Sequence, residues 1–435
     1  MMEIASEVWG QGLRALLHLV LHPLYMLSIL FVILQVRRQI YLERKMFHTK
    51  LQAFIPYTVR IVLWGILAGA IASIILSFLA AGFSFTTLAA IWILAMVMVL
   101  FQARYVCMAY GAGLLAVMQA VVLLFPQLLE VSYLGWWARQ IEEVSVAALL
   151  ALTAVLHIIE GYFLRLPKAR MESPLFLEGK RGKIVGGYQV NGYWPVPLLL
   201  LVPSGSGFEL PWSPLLVGDG WSDGMSLIAF PVLIGFGETV KSGLPAEKMK
   251  RASFMLAVYG LFVLGTSFLV QLSPIIMLIA GLLTVGVHEW MIRRAQWREE
   301  EQPPYFIHGS DGLKILAVIP GTPADKLGLM AGEIVTKVNG IPVRSKEQLH
   351  EALAAQSAFC KLEVKDHRGE VRFLQRAIYA GEHHQLGLIL SPDEDAPGYV
   401  SFQSHGLAAF LKRSASGWKS RSKASANEHQ PPFTG

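Results

Sequence analysis

An apolar run covers residues 59–81, VRIVLWGILAGAIASIILSFLAA, and contains a single charged side chain. A helix that crosses a membrane needs roughly 20 mostly apolar residues, so this run is long enough to span a bilayer. Gly65 and Gly69, followed by Ser73 and Ser77, place small side chains on one face of that helix. Such a face predicts close packing, either within the chain or between two copies of it.

The chain as a whole is also strongly apolar. It has 435 residues, of which 54% are hydrophobic and 16% are charged, whereas soluble domains carry about 25% charged residues. We therefore predict a polytopic α-helical membrane domain of about seven to nine spans, and we exclude a disordered chain, a coiled coil and a secreted disulfide scaffold. The predicted spans are 13–36, 59–81, 86–101, 109–129, 144–164, 253–271 and 274–292.

Residues 194–240 do not fit a simple span. They include Pro195, Pro197, Pro203, Pro211, Pro214, Gly205, Gly207, Gly218 and Gly220. Broken backbone at membrane depth is tolerated where it is buried in protein or lines water. We therefore predict a pair of short helices or a re-entrant loop that folds against the other helices.

The basic residues are concentrated in the apolar part of the chain. Residues 1–295 contain 21 Lys and Arg against 15 Asp and Glu, and the remainder contains 16 of each. A nucleic-acid-binding protein would gather its basic residues on one soluble face, so this distribution argues against nucleic acid as a partner. Segments 37–50, 165–183 and 241–251 hold five, six and four basic residues. Because positive loops stay in the cytoplasm, we predict a multi-pass protein of the cell membrane with a cytoplasmic C-terminus.

A soluble pattern follows the last apolar run. Residues 313–319 predict a strand, and Pro-Gly-Thr-Pro-Ala at 320–324 predicts a turn into a short helix. Gly-Leu-Met-Ala-Gly-Glu-Ile-Val at 328–335 and Val-Asn-Gly at 338–340 predict a further strand between tight turns. An amphipathic helix, 346–355, completes an order of elements that resembles a bacterial PDZ domain.

The PDZ resemblance covers about residues 305–390 and implies that an extended peptide adds to a sheet edge beside a helix. It places the groove between strand 313–318 and helix 346–355. The candidate groove residues are Leu313, Lys314, Ile315, Leu316, Leu349, His350, Leu353 and Gly387. The Leu side chains could equally be ordinary core. The nearest match to a carboxylate-binding turn, Leu386-Gly387-Leu388, comes at the end of the module.

The expected domains follow from these patterns. Residues 1–295 form the multi-span transmembrane domain and residues 305–390 the PDZ domain. Residues 391–435 are rich in Ser, Pro and Lys and predict a disordered cytoplasmic tail.

Catalytic motifs are incomplete in this chain. A zinc protease needs His-Glu-x-x-His on a helix, but His288-Glu289 has Ile292 at the second histidine position. His157 and Glu160 share one helix face, but the sequence offers no further ligands for them.

The remaining signals for chemistry are weaker. Cys107 and Cys360 lie in different environments, which argues against a disulfide or a zinc site. Ser204-Gly205-Ser206-Gly207 lacks the spacing of the Gly-x-Ser-Gly turn of rhomboid-type proteases. We therefore predict a protein that is not an enzyme, with no catalytic residue, metal or cofactor.

The whole plan is similar to the MinJ family of cell-division topological determinants, which combine a multi-span membrane domain with one C-terminal PDZ domain. Leu21-His22-Pro23-Leu24-Tyr25 and the charged run 37–50 also resemble the start of that family. The resemblance implies a scaffold at poles and septa that connects a DivIVA-type protein to the MinD–MinC division inhibitor. Two alternatives remain open: a diverged intramembrane protease with a PDZ domain, and a transporter or export component with a regulatory PDZ domain.

Overall fold

The computed structural model describes residues 2–80, 82–179, 182–209, 211–216, 224–356, 359–377 and 386–393. In these residues, a bundle of helices encloses a three-stranded sheet, and a second, six-stranded sheet forms a C-terminal module. The helices of the first part are α1 (Met2–Val20), α2 (Pro23–Phe47), α3 (Phe54–Leu79), α4 (Phe85–Phe101), α5 (Met108–Leu124), α6 (Leu134–Glu142), α7 (Val146–Arg165), α8 (Pro245–Leu269) and α9 (Pro274–Glu301). Its strands are β1 (Met171–Glu178), β2 (Ile184–Phe208) and β3 (Met225–Val240).

The C-terminal module is built from short elements. They are β4 (Leu313–Val318), α10 (Pro323–Lys326), β5 (Ile334–Val338), β6 (Ile341–Pro342), α11 (Lys346–Ala354), β7 (Phe359–Lys365), β8 (Val371–Ala377) and β9 (Leu388–Leu390). Most of the predicted tail, from residue 394 onward, lies outside the described residues.

The helical membrane domain is confirmed. Among the described residues, five helices are long and apolar enough to cross a membrane: α2, α3, α7, α8 and α9. Helices α4 and α5 are apolar but shorter. The number of apolar helices agrees roughly with the predicted number of spans.

The predicted N-terminal span 13–36 is wrong, because two helices share it. Helix α1 ends at Val20 and α2 begins at Pro23. A residue that precedes proline is pushed out of the helical region, and His22 has an extended backbone with φ of −70° and ψ of 123°. The imidazole of His22 then caps α2 by accepting the Leu24 N–H at 3.3 Å.

The prediction of short helices or a re-entrant loop over 194–240 is also wrong. Strands β2 and β3 form a long antiparallel hairpin there, with Tyr188 opposite Val240 and Pro203 opposite Met225. Strand β1 pairs with the first half of β2. The prolines in this segment indicated broken backbone, but a strand tolerates proline wherever the missing N–H is not needed for the ladder.

The small-residue face of α3 packs against the edge of β2 that does not pair with β3. A Cβ atom on Gly65 would overlap the carbonyl oxygen of Pro195, and one on Gly69 would overlap that of Pro197. Further along, the Leu199 N–H donates to Ser73 Oγ at 2.8 Å. The predicted close contact is therefore made within the chain, between a helix and a strand edge.

The three basic segments 37–50, 165–183 and 241–251 meet at one end of the first sheet, which we call the basic end. The Ser173 hydroxyl donates to Glu43 at 2.9 Å and so joins the first two segments. Across the strands, Pro174 lies opposite Tyr188, and Tyr188 lies opposite Val240, which precedes the third segment.

The C-terminal module is attached at the basic end. The Gly186 N–H donates to the Phe306 carbonyl at 2.8 Å, and the Tyr305 N–H donates to the Lys241 carbonyl at 2.8 Å. Four buried side chains also join the hydrophobic core of the membrane part: Phe306, Leu316, Ala317 and Ile389. The module thus packs directly on the membrane part.

We predict that Gly69→Ala lowers the unfolding temperature of the full-length protein in detergent. The added methyl group would meet the Pro197 carbonyl, and overpacking typically costs about 1–3 kcal/mol. Gly265→Ala on α8 is the matched control, because a Cβ atom there meets no atom within 4 Å. Equal unfolding temperatures for the two variants would contradict this packing.

Candidate functional site

The edges of β4 are both occupied. The second sheet has the order β8-β7-β5-β4-β9, and β6 pairs with β5. β4 pairs with β5 through Leu313 and Lys314, and with β9 through Ile315, Ala317 and Val318. Because β5 pairs with one edge of β4 and β9 pairs with the other, an incoming strand cannot add to β4. The predicted placement of the groove against β4 does not fit this sheet and needs correction.

The β4 side chains named as groove residues are also unavailable to a ligand. Leu313, Ile315 and Leu316 are at most 2% exposed and belong to the hydrophobic core. Lys314 Nζ donates to the Tyr305 carbonyl at 2.9 Å, and burial lowers the pKa of this lysine. These four residues hold the module together.

Strand β9 offers the edge that β4 lacks. The Ile319 N–H donates to the Gly387 carbonyl, and the Ser391 N–H donates to the Lys314 carbonyl, both at 2.9 Å. Residues in an antiparallel strand turn alternately to its two neighbours, so Ile389 also faces β4. The backbone groups of Leu388 and Leu390 therefore point to the outer edge, where no described strand pairs with β9.

Helix α11 lies beside this outer edge. Ser345 caps the helix by accepting the Gln348 N–H. Two predicted groove residues on α11, Leu349 and Leu353, share a buried cluster with Leu386 and Leu390. The third predicted residue, His350, is exposed on the same helix.

The two ends of β9 are fixed by an ion pair and by a tight glycine turn. Asp393, just after the strand, pairs with Lys346 at the start of α11 at 3.2 Å. At the other end, Gly387 has a φ of +86°, and a Cβ atom there would overlap Thr322. The predicted turn residue Gly387 therefore stands at the start of the free-edged strand. We take the outer edge of β9 beside α11 as the candidate peptide-binding site.

A buried carboxylate fixes the turn before β5. Glu333 is fully buried. It pairs with Arg372 at 2.7 Å and accepts the Met330 N–H at 2.9 Å. The Glu333 side chain thus links the turn before β5 to β8.

Glu289 and the two histidines that suggested a protease do not meet in one site. Glu289 accepts a hydrogen bond from Tyr110 at 2.6 Å and pairs with Arg104 and Arg293. It is thus held by three partners instead of facing a metal-bound water. His157 and His288 instead converge on Cys107 in the interior of the helix bundle.

Comparison with known proteins identifies the module and the whole chain. A family model described as a PDZ domain matches residues 314–364. The chain is 32% identical over 405 residues to the cell division topological determinant MinJ of Bacillus subtilis (strain 168), covering 89% of this chain and 97% of that protein.

Two further relatives agree with this match. The probable cell division topological determinants MinJ of Lacticaseibacillus paracasei and of Lacticaseibacillus casei (strain BD-II) are each 24% identical over 262 residues. The matches cover 58% of this chain and 68% of each relative. No solved structure gives a significant match.

We predict that Leu388→Glu reduces peptide capture at least tenfold when a peptide-display library is panned against the full-length protein in detergent. A charged side chain at this edge would oppose an apolar peptide that adds to β9. The matched control is Phe373→Glu on β8, the other edge strand, where the side chain is 66% exposed. If Phe373→Glu abolishes capture and Leu388→Glu does not, the groove lies at the edge of β8 and the assignment to β9 is wrong.

Proposed function

Because the chain belongs to the MinJ family of cell division topological determinants, we propose that it is a membrane scaffold that holds the Min division inhibitor at poles and septa. Its role in cell division follows from the family. In this proposal the membrane domain, residues 1–295, anchors the protein. The PDZ domain, residues 305–390, captures a peptide segment of a partner.

The observation that carries the proposal is the position of the PDZ domain. It is attached at the basic end, where the three basic segments meet. Basic segments remain in the cytoplasm, so we place the PDZ domain and the C-terminus there. This is the compartment in which MinD–MinC and a DivIVA-type protein would be met.

The candidate edge of β9 suits this role because strand addition draws its affinity from backbone hydrogen bonds and its specificity from side-chain pockets. A scaffold needs such a site and needs no catalytic group. The names of the relatives describe topological determinants and no enzymatic reaction, which supports a protein without catalytic activity.

We predict that a fluorescent fusion of the protein collects at septa and poles of dividing cells. The proposed scaffold has to be present where the inhibitor is held. An even distribution along the lateral membrane, with the fusion intact and able to replace the native protein, would overturn the proposal.

We predict further that removal of the protein releases labelled MinD from poles and septa into an even distribution. The matched comparison is a strain that carries Leu388→Glu. In this strain we expect the protein itself to stay at the septum. If MinD remains at septa without the protein, recruitment of the inhibitor is not its function.

The orientation has its own test. A C-terminal fusion to a fluorescent protein that matures only in the cytoplasm should be bright, whereas a fusion to a phosphatase that is active only outside should be inactive. The opposite pair of results would place the PDZ domain outside the cell and exclude cytoplasmic partners.

A further inference from the structure

Three side chains that are far apart in the sequence meet inside the helix bundle. Cys107 precedes α5, His157 lies on α7 and His288 lies on α9. The Cys107 Sγ atom is 3.4 Å from His157 Nε2 and 3.6 Å from His288 Nε2. Each of the three offers one ligand atom, and these atoms all lie within 4.8 Å of one another.

These distances match the spacing of ligands around a tetrahedral metal ion. With a Zn–S bond of about 2.3 Å and a Zn–N bond of about 2.05 Å, the S···N separation at a tetrahedral angle is about 3.5 Å. The two observed S···N distances lie on either side of this value. Both pairs of sulfur and imidazole nitrogen therefore already have the spacing of zinc ligands, and all three ligand atoms lie within 4.8 Å of one another.

The protonation pattern also favours a metal. His157 Nδ1 lies 2.8 Å from the Thr153 carbonyl, so it carries the proton and leaves the Nε2 lone pair directed at Cys107. A metal-ligating histidine typically donates its other ring N–H to such a carbonyl. A thiol has one proton and can donate it to only one of the two imidazoles, whereas one metal ion can bind both.

The second histidine, His288, is also available to bind a metal ion. His288 is 7% exposed, and its Nδ1 atom has no hydrogen-bond partner among the described residues. Its tautomer is therefore not fixed by a neighbour, and Nε2 is free to act as the ligand. The rings of Tyr110 and Tyr259 pack against it at centroid distances of 5.1 and 5.4 Å.

Glu160 supplies a matching charge. It follows His157 by three residues, which places both on one face of α7, and it is 5% exposed. Within the described part of the chain, no residue gives its carboxylate a hydrogen bond or an ion pair. A buried ionisable group without a partner is costly in a membrane. A divalent ion with one thiolate and this carboxylate would form a neutral set.

We propose that Cys107, His157 and His288 bind one zinc ion in the membrane domain, with Glu160 as the counter-charge. Thiolate and imidazole ligands together suit zinc better than magnesium or calcium, which prefer oxygen. The ion ties the start of α5 to α7 and α9. It does not form a His-Glu-x-x-His protease site, since Glu289 is held by Tyr110 and Arg104.

The test uses the full-length protein without a histidine tag, purified in detergent and equilibrated with buffered Zn²⁺ or with Co²⁺. We expect one bound ion per chain by elemental analysis. With Co²⁺ we expect a thiolate-to-cobalt charge-transfer band, and with either ion a higher unfolding temperature. Cys107→Ser should abolish the band and weaken binding by more than the roughly 10- to 100-fold typical of a change outside the ligand set.

The chain offers a matched control in its other cysteine. Cys360 is fully buried in the PDZ domain, and Cys360→Ser should retain the ion and the band. His288→Asn should weaken binding as Cys107→Ser does, so the test does not depend on the folding of one variant. The proposal is overturned if the wild-type protein binds no stoichiometric metal, or if Cys107→Ser and Cys360→Ser bind it equally.

Discussion

The fold depends on how the backbone N–H and C=O groups of β2 are accommodated beside a membrane-crossing helix. Unpaired N–H and C=O groups are costly where water is absent. One edge of β2 pairs with β3 from Tyr188 to Pro203. On the other edge, Pro195 and Pro197 have no N–H to satisfy, and the N–H of Leu199 reaches Ser73 on α3. The glycines of α3 allow the helix close enough for this contact.

The hairpin then sets the position of everything at the basic end. Strands β1, β2 and β3 bring the three basic segments together, and Gly186 and Lys241 provide backbone groups that hold residues 305–306. Burial of Phe306, Leu316, Ala317 and Ile389 in the core of the membrane part fixes the PDZ domain there. In this chain the membrane domain and the PDZ domain are thus joined through a shared core.

Much of the fold could be predicted from the sequence because its signals are local. Apolar runs of membrane length and the turns at 320–324 and 328–335 identified the helical membrane domain and the PDZ domain. The hairpin could not be predicted in this way, because proline usually indicates a broken backbone, whereas Pro195 and Pro197 occupy strand positions that need no N–H. The break at His22 is a local signal, carried by Pro23, that was outweighed by continuous hydrophobicity.

The candidate sites were harder, because they depend on contacts between distant residues. β9 follows the rest of the sheet in the sequence but pairs with its first strand, so the free edge could not be assigned from chain order. The Leu386-Gly387-Leu388 turn was the available signal. Cys107 lies 50 residues from His157 and 181 from His288, and no motif spacing predicts such a cluster.

The burial of Ile389 has a mechanical meaning. This residue of β9 packs into the core of the membrane part, while its neighbours Leu388 and Leu390 turn their backbone groups to the candidate binding edge. A flexible tether would let a bound partner sample a wide volume above the bilayer. Here the bound peptide would instead become a strand continuous with β9 and β4, next to the core of the membrane part. The partner would be held at one height and in one orientation, and any force on it would pass into the membrane domain.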